Sequence, residues 1–288
     1  MKIIVLGSTG LLGKTLCKEG RKRKFDIQGI SRKNKKFIFE FKKIKNLINF
    51  FKYNKPNIII NAVGLIDIDK CESNPELAYK INALPLKSLA KYTKKEKIKL
   101  VQISTDHFFS DKKRKHSENS KVKLLNYYAK TKYEAEKFTK INNDHIIIRT
   151  NFTGYKNRKK VETFIEWILK EKKNKKIKLF DDYYCSTIDV KTLANFILDL
   201  LNTEFKGIIN IGSSSVTSKK EFAEKFLKKL KVKKLIIKKE SINVLKTKRA
   251  NTLGLKINLI EKTIKKRMPN IDKVINNLFN EYKNEICK

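Results

Sequence analysis

The sequence predicts an α/β protein with a doubly wound parallel sheet and a small C-terminal lobe. Short apolar runs rich in Ile and Val alternate with helical patterns over the first two-thirds of the chain. Strands that are buried on both faces of a parallel sheet have this composition. Repeated strand–helix–strand units join such strands through right-handed crossovers. The six runs lie at residues 3–6, 27–30, 58–60, 100–103, 145–148 and 208–211.

The C-terminal lobe is predicted because the alternation stops after residue 151. Helical patterns follow at residues 163–170, 222–230 and 272–282, and Ser218 with Glu221 forms a capping box before the second of them. We therefore assign residues 1–150 to the sheet domain, to which residues 188–212 return. Residues 151–187 and 213–288 form the lobe in this prediction.

Composition and charge indicate a globular protein that does not act on nucleic acid. Of the 288 residues, 40% are hydrophobic, which is enough for a large core, and the formal net charge is +39. Most of the 68 cations are lysines, spread over almost the whole chain. Nucleic-acid interfaces favour clustered charge and arginine forks. We therefore expect a solvated cationic surface and no nucleic-acid partner.

No apolar run approaches the roughly 20 residues that a membrane span needs. The first residues lack the long apolar region and the cleavage site of a signal peptide. We therefore predict a cytoplasmic protein with no membrane partner. The four cysteines are far apart in the sequence and have no zinc-site spacing. Free thiols and no metal site are the corresponding predictions.

A glycine-rich loop joins the first strand to the first helix. Its spacing, G-x-x-G-x-x-G, allows a tight turn and lets the backbone approach a pyrophosphate at the positive end of the helix. This context predicts a Rossmann-type, NAD(P)-binding domain. The loop residues assigned to the cofactor are Gly7, Thr9, Gly10, Leu11, Leu12 and Gly13.

The end of the second strand favours NADP over NAD. An acid at this place would bond the ribose 2′-hydroxyl and select NAD. The chain instead has Ser31 and Arg32, a hydroxyl and a guanidinium that suit a 2′-phosphate. NAD stays open as a cofactor, because the alternative interpretation of Arg32 is that it is one more surface cation in a basic chain.

Tyr128 and Lys132 form the candidate catalytic pair. They are four residues apart in a helical stretch, so they share one helix face. A cation near a phenol lowers the phenol's pKa, which lets it exchange protons near neutral pH. An exposed helix pair is the competing interpretation, because lysine is so frequent in this chain.

The ends of two further strands support the catalytic interpretation. Ser104 and Thr105 follow the fourth strand, where a hydroxyl can bond a carbonyl substrate and share the developing charge. Ala62, Val63 and Gly64 follow the third strand, and their small size lets a cofactor approach the backbone. The carboxyl ends of parallel strands meet at one edge of the sheet, so these features are expected together.

The ordered set of segments resembles the extended short-chain dehydrogenase/reductase superfamily, and within it the dTDP-4-dehydrorhamnose reductase family. The resemblance runs over most of the chain. The matching segments are residues 58–83, 101–111, 126–137, 146–152, 180–190, 210–223 and, more weakly, 249–255.

The resemblance implies hydride transfer from NADPH to the keto carbon of a 4-keto-6-deoxy sugar nucleotide, in deoxysugar and cell-surface polysaccharide biosynthesis. Thr105, Tyr128 and Lys132 match the family's triad by position. Glu40 and Phe41 match a pair near the adenine. The resemblance also assigns a substrate-binding lobe and these substrate-binding residues: Asp69, Ser104, Asp106, His107, Phe152 and Arg249.

Three positions near the expected sugar pocket depart from the family pattern: Ile66, His107 and Phe152. The absence of a second acid at His107 disfavours dehydration chemistry, and both a packing role and a proton-relay role stay open for this residue. Two other functions stay open as well. They are a nucleotide-sugar epimerase and a non-catalytic regulatory subunit similar to the methionine adenosyltransferase beta subunit. A homodimer is compatible with the sequence, which does not specify the oligomeric state.

Overall fold

The computed structural model describes residues 1–31, 44–111, 113–156, 162–174, 176–233 and 235–286. The chain forms two compact units. The first consists of Met1–Thr105, Leu124–Arg149 and Ala194–Ile209. The second consists of Asp106–Lys123, Thr150–Leu193 and Asn210–Lys288.

The secondary structure alternates as the sequence predicts. The strands are β1 (Lys2–Leu6), β2 (Asp26–Ile30), β3 (Ile58–Asn61), β4 (Lys99–Ile103), β5 (His145–Thr150), β6 (Phe152–Thr153), β7 (Lys176–Phe180), β8 (Tyr184–Cys185), β9 (Ile188–Asp189), β10 (Gly207–Ile211), β11 (Thr217–Ser218), β12 (Ile236–Glu240) and β13 (Thr252–Leu253). The helices are α1 (Leu11–Lys22), α2 (Ile44–Asn54), α3 (Ile68–Ser73), α4 (Pro75–Asn82), α5 (Leu84–Lys95), α6 (Tyr127–Thr139), α7 (Phe164–Glu171), α8 (Val190–Leu200), α9 (Lys219–Lys229), α10 (Asn258–Ile264) and α11 (Ile271–Glu281).

The first unit is built on a six-stranded sheet in the order β10-β5-β4-β3-β1-β2. The pairs from β2 to β5 are parallel. All six predicted strands are present, and the predicted α/β, doubly wound fold is confirmed. Side chains of these strands are buried on both faces, which explains why the runs contain consecutive Ile and Val instead of alternating with polar residues.

The strand order sets where a ligand can enter. The chain passes from β1 to β2 on one side and then returns to place β3 on the other side of β1. Loops that leave neighbouring strands in opposite directions open a crevice at the carboxyl edge of the sheet, where open α/β sheets bind ligands. The glycine loop after β1 and the segment after β3 border this crevice.

One face of the sheet packs on α2, α5 and α6 through a continuous apolar cluster. Ile4, Phe51, Ile59, Leu86 and Leu100 in this cluster are each almost fully buried. Burying one such side chain stabilises the fold by about 1.5–3 kcal/mol. The cluster therefore fixes α6, the helix that carries Tyr128 and Lys132, against the sheet.

The described residues of the second unit form three small sheets, with the strand orders β11-β8-β13, β12-β7 and β6-β9. A 3-10 helix, Ile242–Val244, follows β12, and a π-helical turn, Tyr282–Ile286, follows α11. The Tyr155 hydroxyl donates to the Leu278 carbonyl at 2.9 Å, and Asn277 Nδ2 donates to Asp189 at 3.1 Å. The first contact attaches α11 to the segment after β6, and the second attaches it to β9.

The three helices predicted in the lobe are present with slightly different bounds. The capping box of Ser218 and Glu221 is confirmed, and α9 begins directly after it at Lys219, since the first turn of a helix follows its cap. Thr163 and Glu166 form a second capping box before α7. The domain boundaries stay a prediction.

Candidate functional site

The glycine loop is a tight turn at the carboxyl end of β1. Gly7 has φ +82°, a left-handed conformation that side chains rarely adopt. Its N–H donates to the Ile30 carbonyl at 2.9 Å, which ties the loop to β2. A methyl group at Gly13 would clash with the Gly7 carbonyl oxygen, so glycine at this place lets α1 start close to the strand.

Helix α1 begins in this loop with Gly10 as its cap and without a capping side chain. The Lys14 N–H donates to the Gly10 carbonyl at 2.9 Å, which is the start of the helical ladder. The first turn has no acidic residue. The N–H groups of the first turn have no partner within the helix, and no acidic side chain offsets the partial positive charge of the helix end. This arrangement suits a phosphate anion.

The end of β2 contributes a buried hydroxyl. Ser31 is 4% exposed, and its Oγ has no hydrogen-bond partner among the described residues. A buried hydroxyl without a partner is costly, so Ser31 Oγ is available to bond a ligand group or a water molecule. Arg32, Glu40 and Phe41, also predicted to bind the cofactor, lie outside the described residues.

The segment after β3 lies close to α6. The Ala62 N–H donates to the Leu6 carbonyl at 3.0 Å, and the Val63 N–H donates to Asn61 Oδ1 at 3.2 Å. At Gly64, an added methyl group would come 4.0 Å from Lys132 Nζ. The predicted cofactor segment and the predicted catalytic lysine are thus neighbours in the structure.

Asn82 of α4 holds this segment in place. Its Oδ1 accepts from the Leu65 N–H at 2.7 Å, and its Nδ2 donates to the Leu65 carbonyl and to Thr131 Oγ1, each at 3.1 Å. The side chain is 1% exposed. Sequence reasoning missed Asn82, because a single asparagine in an asparagine-rich chain carries no signal of its own.

Tyr128 and Lys132 lie on the buried side of α6, so the exposed-pair interpretation of their spacing is wrong. Asn126 caps the helix by accepting from the Ala129 N–H at 2.9 Å. Lys132 Nζ donates to the Ile103 carbonyl at 2.6 Å. Burial lowers the pKa of Lys132 to about 8, while the carboxylate of Glu136 acts to raise it. Lys132 therefore changes charge near neutral pH.

The end of β4 brings two hydroxyls to the same edge of the sheet. Ser104 and Thr105 are 6% and 3% exposed, and the Ser104 N–H donates to the Ile148 carbonyl at 2.7 Å. The Ser104 hydroxyl donates to Glu136 Oε1 at 2.6 Å. Ser104 is therefore engaged with the protein, although the resemblance assigns it to the substrate.

A buried ion pair lies behind these hydroxyls. Arg149 of β5 donates to Glu136 through Nε at 3.0 Å and through a terminal nitrogen at 2.7 Å. Their side chains are 3% and 1% exposed, respectively. Sequence reasoning missed this pair, because the partners lie on different elements and their pairing depends on a contact that no spacing in the sequence reveals.

Asp69, the remaining predicted substrate residue of the first unit, lies exposed in the first turn of α3. Helix α3 packs against α6. The first unit therefore holds the glycine loop, Ser31, the segment after β3, the hydroxyls after β4, Tyr128 and Lys132.

The second unit carries the other predicted substrate residues. His107 Nε2 and the Tyr183 hydroxyl are 3.0 Å apart, and Asn151 Nδ2 donates to Asp106 Oδ1 at 3.3 Å. Burial first, and then the charges of Lys219 and Arg249, lower the pKa of His107 to about 3. The imidazole is therefore neutral at physiological pH. Its contact with Tyr183 could not be predicted from the sequence.

Phe152 and Arg249 lie elsewhere in this unit. Phe152 is half-buried at the start of β6, which pairs with β9. Arg249 lines a cavity of about 290 Å³. The cavity is lined by Ser110, Ile242, Asn243, Leu245, Lys246, Lys248, Arg249 and Asn251. Its cations and amides suit an anionic, partly polar ligand.

Neither a metal centre nor a membrane-spanning helix is found in the described part of the chain. The histidines, cysteines and carboxylates there form no group of three that could hold a metal ion. Among the described helices, none combines the length and apolar character needed to cross a membrane. Cys17, Cys71 and Cys185 are buried free thiols.

Comparisons with known proteins identify the family. The family model described as RmlD substrate binding domain matches residues 1–284. The spore coat polysaccharide biosynthesis protein SpsK of Bacillus subtilis is 27% identical over 229 residues, 77% of each chain. The dTDP-4-dehydrorhamnose reductase of Salmonella typhimurium is 30% identical over 158 residues, 53% of this chain and 51% of that protein.

Two further matches concern a methionine adenosyltransferase subunit and a solved structure. The methionine adenosyltransferase 2 subunit beta of Xenopus tropicalis is 30% identical over 149 residues, 50% of this chain and 44% of that protein. The crystal structure of dTDP-4-dehydrorhamnose reductase from Bacillus anthracis in complex with NADP is 25% identical, with a TM-score of 0.88, and covers 97% of this chain and 99% of that chain. The chain thus spans about half the length of two of the curated relatives.

Proposed function

Because the chain belongs to the RmlD substrate binding domain family, we propose that it is an NADP-dependent reductase of a nucleotide-linked keto sugar. The substrate class is a 4-keto-6-deoxy sugar nucleotide, used in deoxysugar and cell-surface polysaccharide synthesis. The main observation behind the proposal is the position of Lys132, which contacts the end of β4 and lies beside the segment after β3. Its Nζ donates to the last residue of β4 at 2.6 Å and lies beside Gly64, so one side chain joins the predicted catalytic and cofactor segments.

The residues present fit NADP. The loop with Gly7 at φ +82° and the first turn of α1 form a cradle that suits a pyrophosphate. Ser31 offers a buried hydroxyl, without a partner among the described residues, at the place where a 2′-phosphate would lie. The dTDP-4-dehydrorhamnose reductase of B. anthracis was solved with NADP. NADPH, when bound, supplies the hydride.

The chain's own residues handle the proton and the charge. Tyr128 Oη protonates the carbonyl oxygen of the sugar as the hydride arrives, and Thr105 donates a hydrogen bond to the same oxygen. The Lys132 ammonium would hold the hydroxyls of the nicotinamide ribose and would stabilise the Tyr128 phenolate that forms. These roles follow the family resemblance, and the burial of all three side chains supports them.

The second unit carries positive side chains that would attract the negative charge of the substrate. A nucleotide sugar carries a diphosphate, and Arg249 with its neighbouring lysines lines a cavity that suits such an anion. His107 stays neutral beside Tyr183, so the pair can exchange hydrogen bonds with a sugar without adding charge. A homodimer, a cytoplasmic location and the absence of a nucleic-acid partner stay predictions.

A regulatory role is the second candidate function. The methionine adenosyltransferase 2 subunit beta of X. tropicalis, which is 30% identical over 149 residues, favours it. A nucleotide-sugar epimerase is the third. An epimerase would return its cofactor to the starting oxidation state in each cycle, whereas a reductase consumes one NADPH for each sugar reduced.

The deciding experiment mixes the purified protein with a panel of nucleotide-linked keto sugars and follows oxidation of NADPH and, in parallel, of NADH. We expect one NADPH oxidised for each sugar reduced with at least one 4-keto-6-deoxy sugar nucleotide, and slower turnover with NADH. Sugar conversion without net NADPH oxidation would support the epimerase. Absence of conversion with every sugar, together with copurification of a synthetase, would support the regulatory subunit.

A further inference from the structure

Packing does not explain the number of hydrogen bonds in the buried ion pair behind the β4 hydroxyls. Glu136 accepts three hydrogen bonds, one from Ser104 and two from Arg149, at 2.6–3.0 Å. Removing two charges from water is costly, and many buried pairs can be replaced by apolar side chains without loss of stability. Packing alone therefore gives no reason for a charged group at this place.

The position of Glu136 relates it to the candidate catalytic residues. It lies one turn after Lys132 on the same helix, so both side chains leave the same face of α6. Lys132 bonds the Ile103 carbonyl, and Glu136 bonds the side chain of the next residue, Ser104. The helix thus holds two consecutive residues at the end of β4, and Thr105 follows them directly.

The charge of Glu136 also acts on Lys132. Burial lowers the pKa of Lys132, and the Glu136 carboxylate acts in the opposite direction. Ionisable groups on the elements around α6 also contact this helix. Glu72 of α3 accepts a backbone N–H at the start of α6, Lys87 of α5 lies over an aromatic ring, and Arg149 of β5 faces Glu136.

We propose that Glu136 is a positioning residue of this site, which fixes the end of β4 through Ser104 and places a carboxylate one turn from Lys132 on the same face of α6. Arg149 holds the Glu136 carboxylate in its orientation, because its two donors match both carboxylate oxygens. Glu136 touches neither cofactor nor substrate in this account. The proposal rests on the proposed function, since it assigns Glu136 to the same reaction.

The main test is the Glu136→Gln variant, which keeps the shape of the side chain and removes its charge. Without the carboxylate, nothing opposes the lowering of the Lys132 pKa by burial, so the ammonium loses its proton at a lower pH. We expect the midpoint of the pH dependence of NADPH affinity, measured by fluorescence titration without sugar, to fall by about one pH unit. The basic limb of the kcat profile should move by the same amount, and Glu136→Asp should restore both in part.

Asp199→Asn is the matched control. Asp199 pairs with Arg23 at 2.7 Å in the same unit, away from the candidate site. This variant should lower Tm and leave both pH profiles unchanged. If Glu136→Gln lowers Tm while its NADPH-affinity profile overlays that of the wild type, the pair is merely structural and the proposal is wrong. An NADPH affinity of the wild type that does not change between about pH 7 and 9 would also overturn it.

Ser104→Ala tests the positioning of the β4 end through Ser104. It keeps the ion pair, so it can be measured even where Glu136→Gln does not fold. We expect kcat to fall about tenfold, with the NADPH dissociation constant within about twofold of wild type, because Thr105 loses its support. An unchanged kcat would contradict positioning through Ser104. A wild type that binds NADPH but reduces no sugar would contradict the proposed function, while the affinity profiles would still decide the role of Glu136.

Discussion

Lys132 and His107 illustrate how burial tunes single residues in this protein. Burial lowers the pKa of Lys132 to about 8 and that of His107 to about 3. The nearby Glu136 carboxylate opposes the shift at Lys132, whereas the cations Lys219 and Arg249 add to the shift at His107. One residue therefore titrates near neutral pH, and the other stays neutral throughout the physiological range.

The lowered pKa of His107 predicts a loss of stability in acid. The unfolded chain takes up a proton at His107 near the ordinary pKa of about 6.5, while the folded protein does so only near 3. The free energy of unfolding should therefore fall as the pH falls from about 6.5 towards 3. Thermal melts should show a smaller drop of Tm between pH 7 and 5 for His107→Gln than for the wild type.

His145→Gln is the control for this prediction. The pKa of His145 is also lowered by burial, but its imidazole is only half-buried and bonds the Asn142 carbonyl. Its replacement should remove a smaller part of the acid sensitivity. An equal drop of Tm in the wild type and in His107→Gln would show that His107 is not held neutral.

The sequence predicted individual site residues where a motif isolated them. Tyr128 and Lys132 could be selected by their spacing together with the glycine loop and the β4 hydroxyls. Glu136, Arg149 and Asn82 could not be selected, because their importance depends on contacts between distant elements. In a chain with 68 cations, sequence alone does not reveal which arginine meets a buried carboxylate.

At the scale of elements, the turn from β1 into α1 depends on the missing side chain of Gly13. A methyl group there would clash with the Gly7 carbonyl oxygen and push the helix away from the strand. We expect Gly13→Ala to lower the free energy of unfolding by about 1–3 kcal/mol. NADPH affinity should fall as well, because the first turn of α1 would be displaced. Urea denaturation and fluorescence titration measure the two effects.

Gly64→Ala provides the comparison for the stability effect. A methyl group there meets nothing closer than 3.4 Å, so the free energy of unfolding should change by less than about 0.5 kcal/mol. If Gly13→Ala is as stable as Gly64→Ala, the close approach of α1 to β1 does not require glycine.

The five-residue strands β7 and β12 were not predicted, whereas the six strands of the large sheet and several long helices could be predicted from sequence because their burial imposes a pattern on many residues. The strands β6, β8, β9, β11 and β13 could not, since each has two residues and no period can be read from two positions. They are defined by pairing within the second unit, such as Thr217 with Cys185. Tertiary contacts, not local composition, determine these strands.

At the scale of the whole molecule, the net charge of +39 says little about the reaction. Lysines cover the surface, but the groups assigned to the chemistry are buried, namely Thr105, Tyr128 and Lys132. The family model matches residues 1–284, and the sheet built by these residues is the fold that the family resemblance implies. We propose that a protein of this fold reduces a sugar carbonyl with NADPH and that Tyr128 supplies the proton.

The most direct test is a single-turnover reaction of the enzyme with stoichiometric NADPH and a 4-keto-6-deoxy sugar nucleotide, for wild type and Tyr128→Phe. We predict that Tyr128→Phe binds NADPH within about twofold of wild type and transfers hydride at least about 100-fold more slowly. Tyr127→Phe removes the neighbouring, more exposed phenol and should react at the wild-type rate. Hydride transfer by Tyr128→Phe at the wild-type rate would contradict the account.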